Sequence, residues 1–63
     1  MKKNNIQNYR ISKLLTQEEL AERLGVSRST VAAWETGRAY PQASILMELA
    51  KVLGVTVEKL LGA

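Results

Sequence analysis

Apolar residues recur along this chain at the three- and four-residue spacing of helices, in five blocks, the last four divided from one another by glycine or proline. The first block predicts a helix over roughly Asn5–Lys13, with Ile6, Tyr9 and Leu14 turned inward. The second opens at Thr16 and carries a stripe of Leu20, Ala21 and Leu24. A third helix runs from about Arg28 to Thr36 and stops at Gly37. Pro41 ends the following loop, and a fourth helix starts near Gln42 with Ile45, Leu46, Leu49, Ala50 and Leu53 at helical spacing. A fifth, about Val57–Leu61, offers Val57, Leu60 and Leu61.

The joints between these blocks are also written in the chain. Leu20-Ala21-Glu22-Arg23-Leu24-Gly25-Val26-Ser27 is echoed by Leu49-Ala50-Lys51-Val52-Leu53-Gly54-Val55-Thr56. In each copy the glycine can take the left-handed conformation that closes a helix, and the valine folds back on the last turn. Ser27 or Thr56 then caps the next helix with its hydroxyl. Thr16-Gln17-Glu18-Glu19 is a capping box, in which the Thr16 hydroxyl and the Glu19 carboxylate each satisfy a free backbone N–H. Two copies of a joint with different flanks do not make a repeat protein.

Composition narrows the function. At 63 residues the chain is one domain, 1–63, with an ordered core over about 6–61. A domain of this size buries only about 60% of its unfolded surface. It has no cysteine, histidine or aspartate, so disulfides and thiolate metal sites are excluded, and neither a metal nor a cofactor is expected. The usual nucleophiles and acid–base groups are missing as well, which makes an enzyme the remotest reading. The chain holds no run of about 18 apolar residues to cross a membrane. Lys2-Lys3 is followed by Asn4-Asn5-Ile6-Gln7-Asn8, too polar for a signal peptide, and a cytoplasmic protein is expected. The net charge of +3 lies in residues 1–40, where seven Lys/Arg face four Glu, while 41–63 holds two of each. Taken alone, that excess fits a polyanion partner and ordinary solubility equally well.

The third helix decides between them. On a wheel of about 100° per residue, Val31 and Trp34 fall together and face the core. Ser29, Ala32, Ala33 and Thr36 fall on the far side, with Arg28 on its flank. A surface helix with no other duty carries Glu, Lys and Gln there; small side chains instead let a helix approach another surface closely. Arg28, in the first turn, can reach beyond the helix end and grip the O6 and N7 edge of a guanine.

Gln17-Glu-Glu-Leu-Ala21, Gly25-Val26-Ser27, Val31 and Trp34-Glu35-x-Gly37 together resemble the helix-turn-helix of the phage repressor and Cro family, the lambda-repressor-like (XRE) type. The resemblance covers about residues 6–61 and implies an all-α, compact five-helix bundle containing a helix-turn-helix. It further implies that the third helix enters the major groove of double-stranded DNA, through Ser27, Arg28, Ser29, Ala32, Ala33 and Thr36. By the same resemblance Gln17 meets a phosphate, as does Arg38 in the loop after the third helix, and Arg10 pairs with Glu35 as a structural ion pair; Tyr40, before Pro41, either packs or reaches a sugar-phosphate. One departure is Leu14, which stands where the family often has glycine, two places before the capping Thr16.

Other features take plainer readings. Trp34 and Tyr9 are packing residues, Lys2 and Lys3 a solvated terminus, and Glu18, Glu19 and Glu22 helix-dipole and solubility residues. The resulting expectation is a transcriptional regulator, in the first place a repressor, that binds duplex DNA as a homodimer on a two-fold operator. Its dimer surface is expected on the fourth and fifth helices near Val52, Val57 and Ala63. The alternative is an antitoxin or protein-interaction module with the same fold.

Overall fold

The structure, a computed structural model, describes residues 4–62. Five helices follow in order: α1 Ile6–Ser12, α2 Gln17–Leu24, α3 Arg28–Thr36, α4 Ala43–Leu53 and α5 Val57–Leu61. Among the described residues there is no strand. The helices surround one core in which Ile6, Leu20, Val31, Leu49, Leu53 and Leu60 are fully buried. These are the positions picked out by the helical spacing, one or two from each helix.

Local chemistry sets each boundary. The capping box forms: Thr16 Oγ1 accepts from the Glu19 N–H at 3.0 Å, and the Thr16 N–H donates to Glu19 Oε1 at 2.8 Å. The Thr16 backbone N–H first, and the Thr16 hydroxyl second, hold the Glu19 carboxyl below its ordinary pKa; Arg23 adds a smaller pull in the same direction. A carboxyl depressed by folding stabilises the fold above its unfolded pKa, and that contribution fades as pH falls through the folded one. Gly25, Gly37 and Gly54 close α2, α3 and α4 with positive φ, and the residue after each returns its N–H to a carbonyl five back. Ser27 and Thr56 cap α3 and α5. The echo between the two joints is therefore one helix-ending device used twice.

The join between α1 and α2 departs from expectation. Leu14 does not turn inward; it is 89% exposed, and with φ of 59° it is the non-glycine residue that takes the left-handed conformation. Arg10 explains why the chain turns there: Lys13 and Leu14 close α1, and Leu15 then sends its N–H to the Arg10 carbonyl. This leaves α1 ending at Ser12, one residue short of the expected Lys13. The expected exposure of Val52 and Val57 needs correction too. Val52 and Val57 are half-buried and pack against the core, because α4 and α5 lean on each other, while Ala63 lies outside the described residues, as do Lys2 and Lys3.

Leu14 stores removable strain. A left-handed L-residue costs roughly 1–2 kcal/mol, of which glycine's extra freedom in the unfolded chain takes back part. Leu14→Gly should therefore raise stability by about 0.5–1 kcal/mol and lift Tm by several degrees in thermal melts. A Tm equal to or below that of the parent would show that the turn is not strained.

Candidate nucleic-acid interface

The segment 17–37 builds a unit from two helices. α3 packs chiefly on α2, with a smaller contact on α1. Three inward positions seat it: Val31, Trp34 and Glu35 are all buried. A nine-residue helix is roughly 13 Å long, and the major groove is about 12 Å wide, so α3 is groove-sized.

Burying Glu35 demands compensation, because an ionised carboxylate without partners is expensive in a core. Arg10 of α1 supplies it with a two-pronged grip, Nε to Oε2 at 2.6 Å and Nη2 to Oε1 at 3.2 Å. The third arm of the guanidinium, Nη1, donates to the Leu15 carbonyl at 2.7 Å. Gln17, first residue of α2, adds its amide Nε2 to Glu35 Oε1 at 3.0 Å. A carboxylate accepts only, so Gln17 must present its amide nitrogen inward and its carbonyl oxygen outward. That oxygen receives Arg28 Nη1 at 3.3 Å. Arg10, Glu35, Gln17 and Arg28 thus form one hydrogen-bonded line from the core to the exposed start of α3. No buried side-chain nitrogen or oxygen among the described residues lacks a partner.

The outer face of α3 divides into residues that are free and residues already engaged. Arg28 and Ser29 are exposed, and Ala32 and Ala33 are half-buried small residues between the first turn and the last. Ser27 Oγ caps α3 by accepting from the Thr30 N–H at 3.2 Å and lies 3.0 Å from Ser29 Oγ and 2.8 Å from Thr30 Oγ1. Its single proton is shared within that group, so Ser29 is the hydroxyl best placed to reach outward. Thr36 donates back into its own helix, to the carbonyls of Ala32 and Ala33 at 3.2 Å. Outward it offers a methyl group and an acceptor, not a donor. Arg38 and Tyr40 are exposed in the loop beyond Gly37.

Two contacts were not foreseen. Gln17 is held by Glu35 through one of its two amide N–H bonds, which leaves one N–H for an anion. Asn4, half of a polar pair read only as unfit for a signal peptide, is buried against α3 and donates to the Trp34 carbonyl at 2.9 Å. The available signal was its position two residues before Ile6, where an asparagine side chain can accept the N–H two residues on in an Asx turn.

The pattern of the helix-turn-helix family matches residues 6–60. The chain is 45% identical over 56 residues to the transcriptional activator BcrR of Enterococcus faecalis, covering 89% of this chain and 28% of that protein. It is also 45% identical over 56 residues to an HTH-type transcriptional regulator of Methanocaldococcus jannaschii, covering 89% of this chain and 85% of that one. Identity to the phage CTXphi transcriptional repressor RstR of Vibrio cholerae is 35% over 57 residues, covering 90% of this chain and 51% of RstR. The crystal structure of a hypothetical transcription factor, NHTF from Neisseria, superposes with a TM-score of 0.81 at 37% identity, covering 90% of this chain and 64% of that one.

Breaking the buried pair from one side should be costly. Arg10→Met leaves the Glu35 carboxylate buried with Gln17 alone and should destabilise by about 3–5 kcal/mol, much of what a domain this small possesses. Arg10→Met with Glu35→Leu should recover most of that loss in urea unfolding followed by Trp34 fluorescence. A single variant within about 1 kcal/mol of the parent would mean that the pair is not buried in solution.

Proposed function

Because this chain belongs to the helix-turn-helix family, we propose that it regulates transcription by binding duplex DNA in a sequence-dependent way, with α3 in the major groove. The observation that carries this reading is the asymmetry of α3. Its inner side is fixed by Val31, Trp34 and Glu35, while its outer side is small and headed by Arg28. The line through Gln17 holds the Arg28 guanidinium off the helix start, where it can meet the O6 and N7 acceptors of guanine. Ser29 adds a hydroxyl, Ala32 and Ala33 give close approach, and Thr36 gives a methyl group suited to thymine. The remaining N–H of Gln17 and the Arg38 guanidinium supply phosphate contacts, which set register but carry no sequence information.

Two copies bind together on a two-fold operator. Half-sites in one such operator lie roughly 34 Å apart, one helical turn. Cα extents of 26 × 23 × 21 Å, with side chains added, let two copies sit side by side at that spacing. The excess positive charge in residues 1–40 lies in the segment that meets the polyanion. Repression is the favoured outcome, because a protein that grips the duplex over a promoter blocks it with no further surface; BcrR, an activator, and RstR, a repressor, show that relatives take both signs. The activity is binding, not catalysis, and the compartment is the cytoplasm.

Selection of bound sites from random duplex DNA tests the reading directly. Arg28→Ala should flatten preference at one base-pair position of the selected site and leave the others; an unchanged site would remove Arg28 from base readout. Arg38→Ala should weaken binding to all sequences alike and reduce the salt slope by about 0.9, the share of one phosphate. A slope equal to that of the parent would remove Arg38 from the backbone contacts.

A further inference from the structure

The last turn of α3 is held from outside the helix-turn-helix. Asn4 precedes α1 and is buried. Its side chain faces two ways: Oδ1 accepts from the Ile6 N–H at 3.0 Å, and Nδ2 donates to the Trp34 carbonyl at 2.9 Å. That carbonyl also receives the Gly37 N–H at 3.1 Å, so both of its lone pairs are used. The next residues leave the helix through a bond from the Arg38 N–H to the Ala33 carbonyl at 2.9 Å. Asn4 therefore grips the turn from which Arg38 departs. Its neighbour Asn5 fixes the same stretch to α5, through its N–H to the Leu60 carbonyl at 2.9 Å and its Nδ2 to the Lys59 carbonyl at 3.0 Å.

We infer that Asn4 is a positioning residue for DNA binding: it sets the exit of α3, and through it the placing of Arg38 on the phosphate backbone. The inference rests on the duplex-binding reading above. The chemistry is specific to an amide. Accepting the Ile6 N–H needs only an acceptor, which aspartate and serine supply; holding α3 needs a donor at the same branch point, which neither supplies in reach. A residue there for the stability of α1 alone would have no use for the second half of the amide.

Asn4→Asp and Asn4→Ser keep the acceptor and delete the donor. The probe is the duplex that the parent chain selects from a random library, with affinity measured well below each variant's melting temperature. Both variants should bind it about tenfold more weakly, the worth of one hydrogen bond made to count in the complex. Their salt slopes should fall toward that of Arg38→Ala, while the base preference set by Arg28 persists. In an Arg38→Ala background the same changes should cost less than about threefold, because the contact they misplace is already gone. Parent affinity with a lowered melting temperature, or an equal loss in both backgrounds, would overturn the inference and leave Asn4 a stability residue. Failure of both variants to fold would do the same. A parent that selects no duplex, or an Arg38→Ala variant that binds like the parent, would instead bring down the underlying reading, and this inference with it.

Discussion

A single buried carboxylate organises this small protein. Glu35 sits on the inner side of α3, receives Arg10 from α1 and receives Gln17 from the first turn of α2. Hydrophobic burial brings these helices together, but it is non-directional and tolerates sliding. The carboxylate does not, because each of its oxygens needs a donor at a set distance. Three helices are thereby held in one mutual arrangement where the apolar core alone would specify only proximity. In a chain of 63 residues, with little apolar surface to bury, that directional constraint weighs more than it would in a larger domain.

The consequence for the surface follows from connectivity. Gln17 spends one amide N–H on Glu35, so its carbonyl oxygen must face the exposed start of α3, where Arg28 finds it. The buried pair and the leading side chain of α3 are thus two ends of one hydrogen-bonded line. At the opposite end of the helix, Asn4 takes the Trp34 carbonyl. A helix fixed at its start, along its inner side and at its exit is preorganised, and preorganisation reduces the ordering cost that binding would otherwise meet.

The elements were largely legible because they rest on local rules. Helical spacing picked the fully buried residues, and the glycine joints and the Thr16–Glu19 box marked boundaries within a residue or so. Leu14 was misjudged because spacing ranks a leucine as core, whereas the turn's geometry placed it in solvent in the left-handed region. Val52 and Val57 were misjudged for a related reason: whether a residue on the flank of a helix is open depends on how α4 and α5 lean on each other, which no single helix reveals. The outward face of α3 could be read from one wheel. The commitments of its side chains could not. That Gln17 is oriented by Glu35 and that Asn4 reaches across 30 residues to Trp34 are facts of tertiary contact, and the bond from Thr36 into its own helix is a side-chain rotamer that a wheel does not show.

In the proposed complex the outward side of α3 meets the duplex. Nuclear magnetic resonance of the labelled protein, titrated with its selected duplex, addresses it most directly. Perturbations of backbone and side-chain amides should centre on Gln17, on Arg28 to Thr36 and on Arg38, while the exposed side of α4 around Met47 stays unchanged. Perturbations centred on α4 and α5, with Arg28 and Ser29 unmoved, would contradict it.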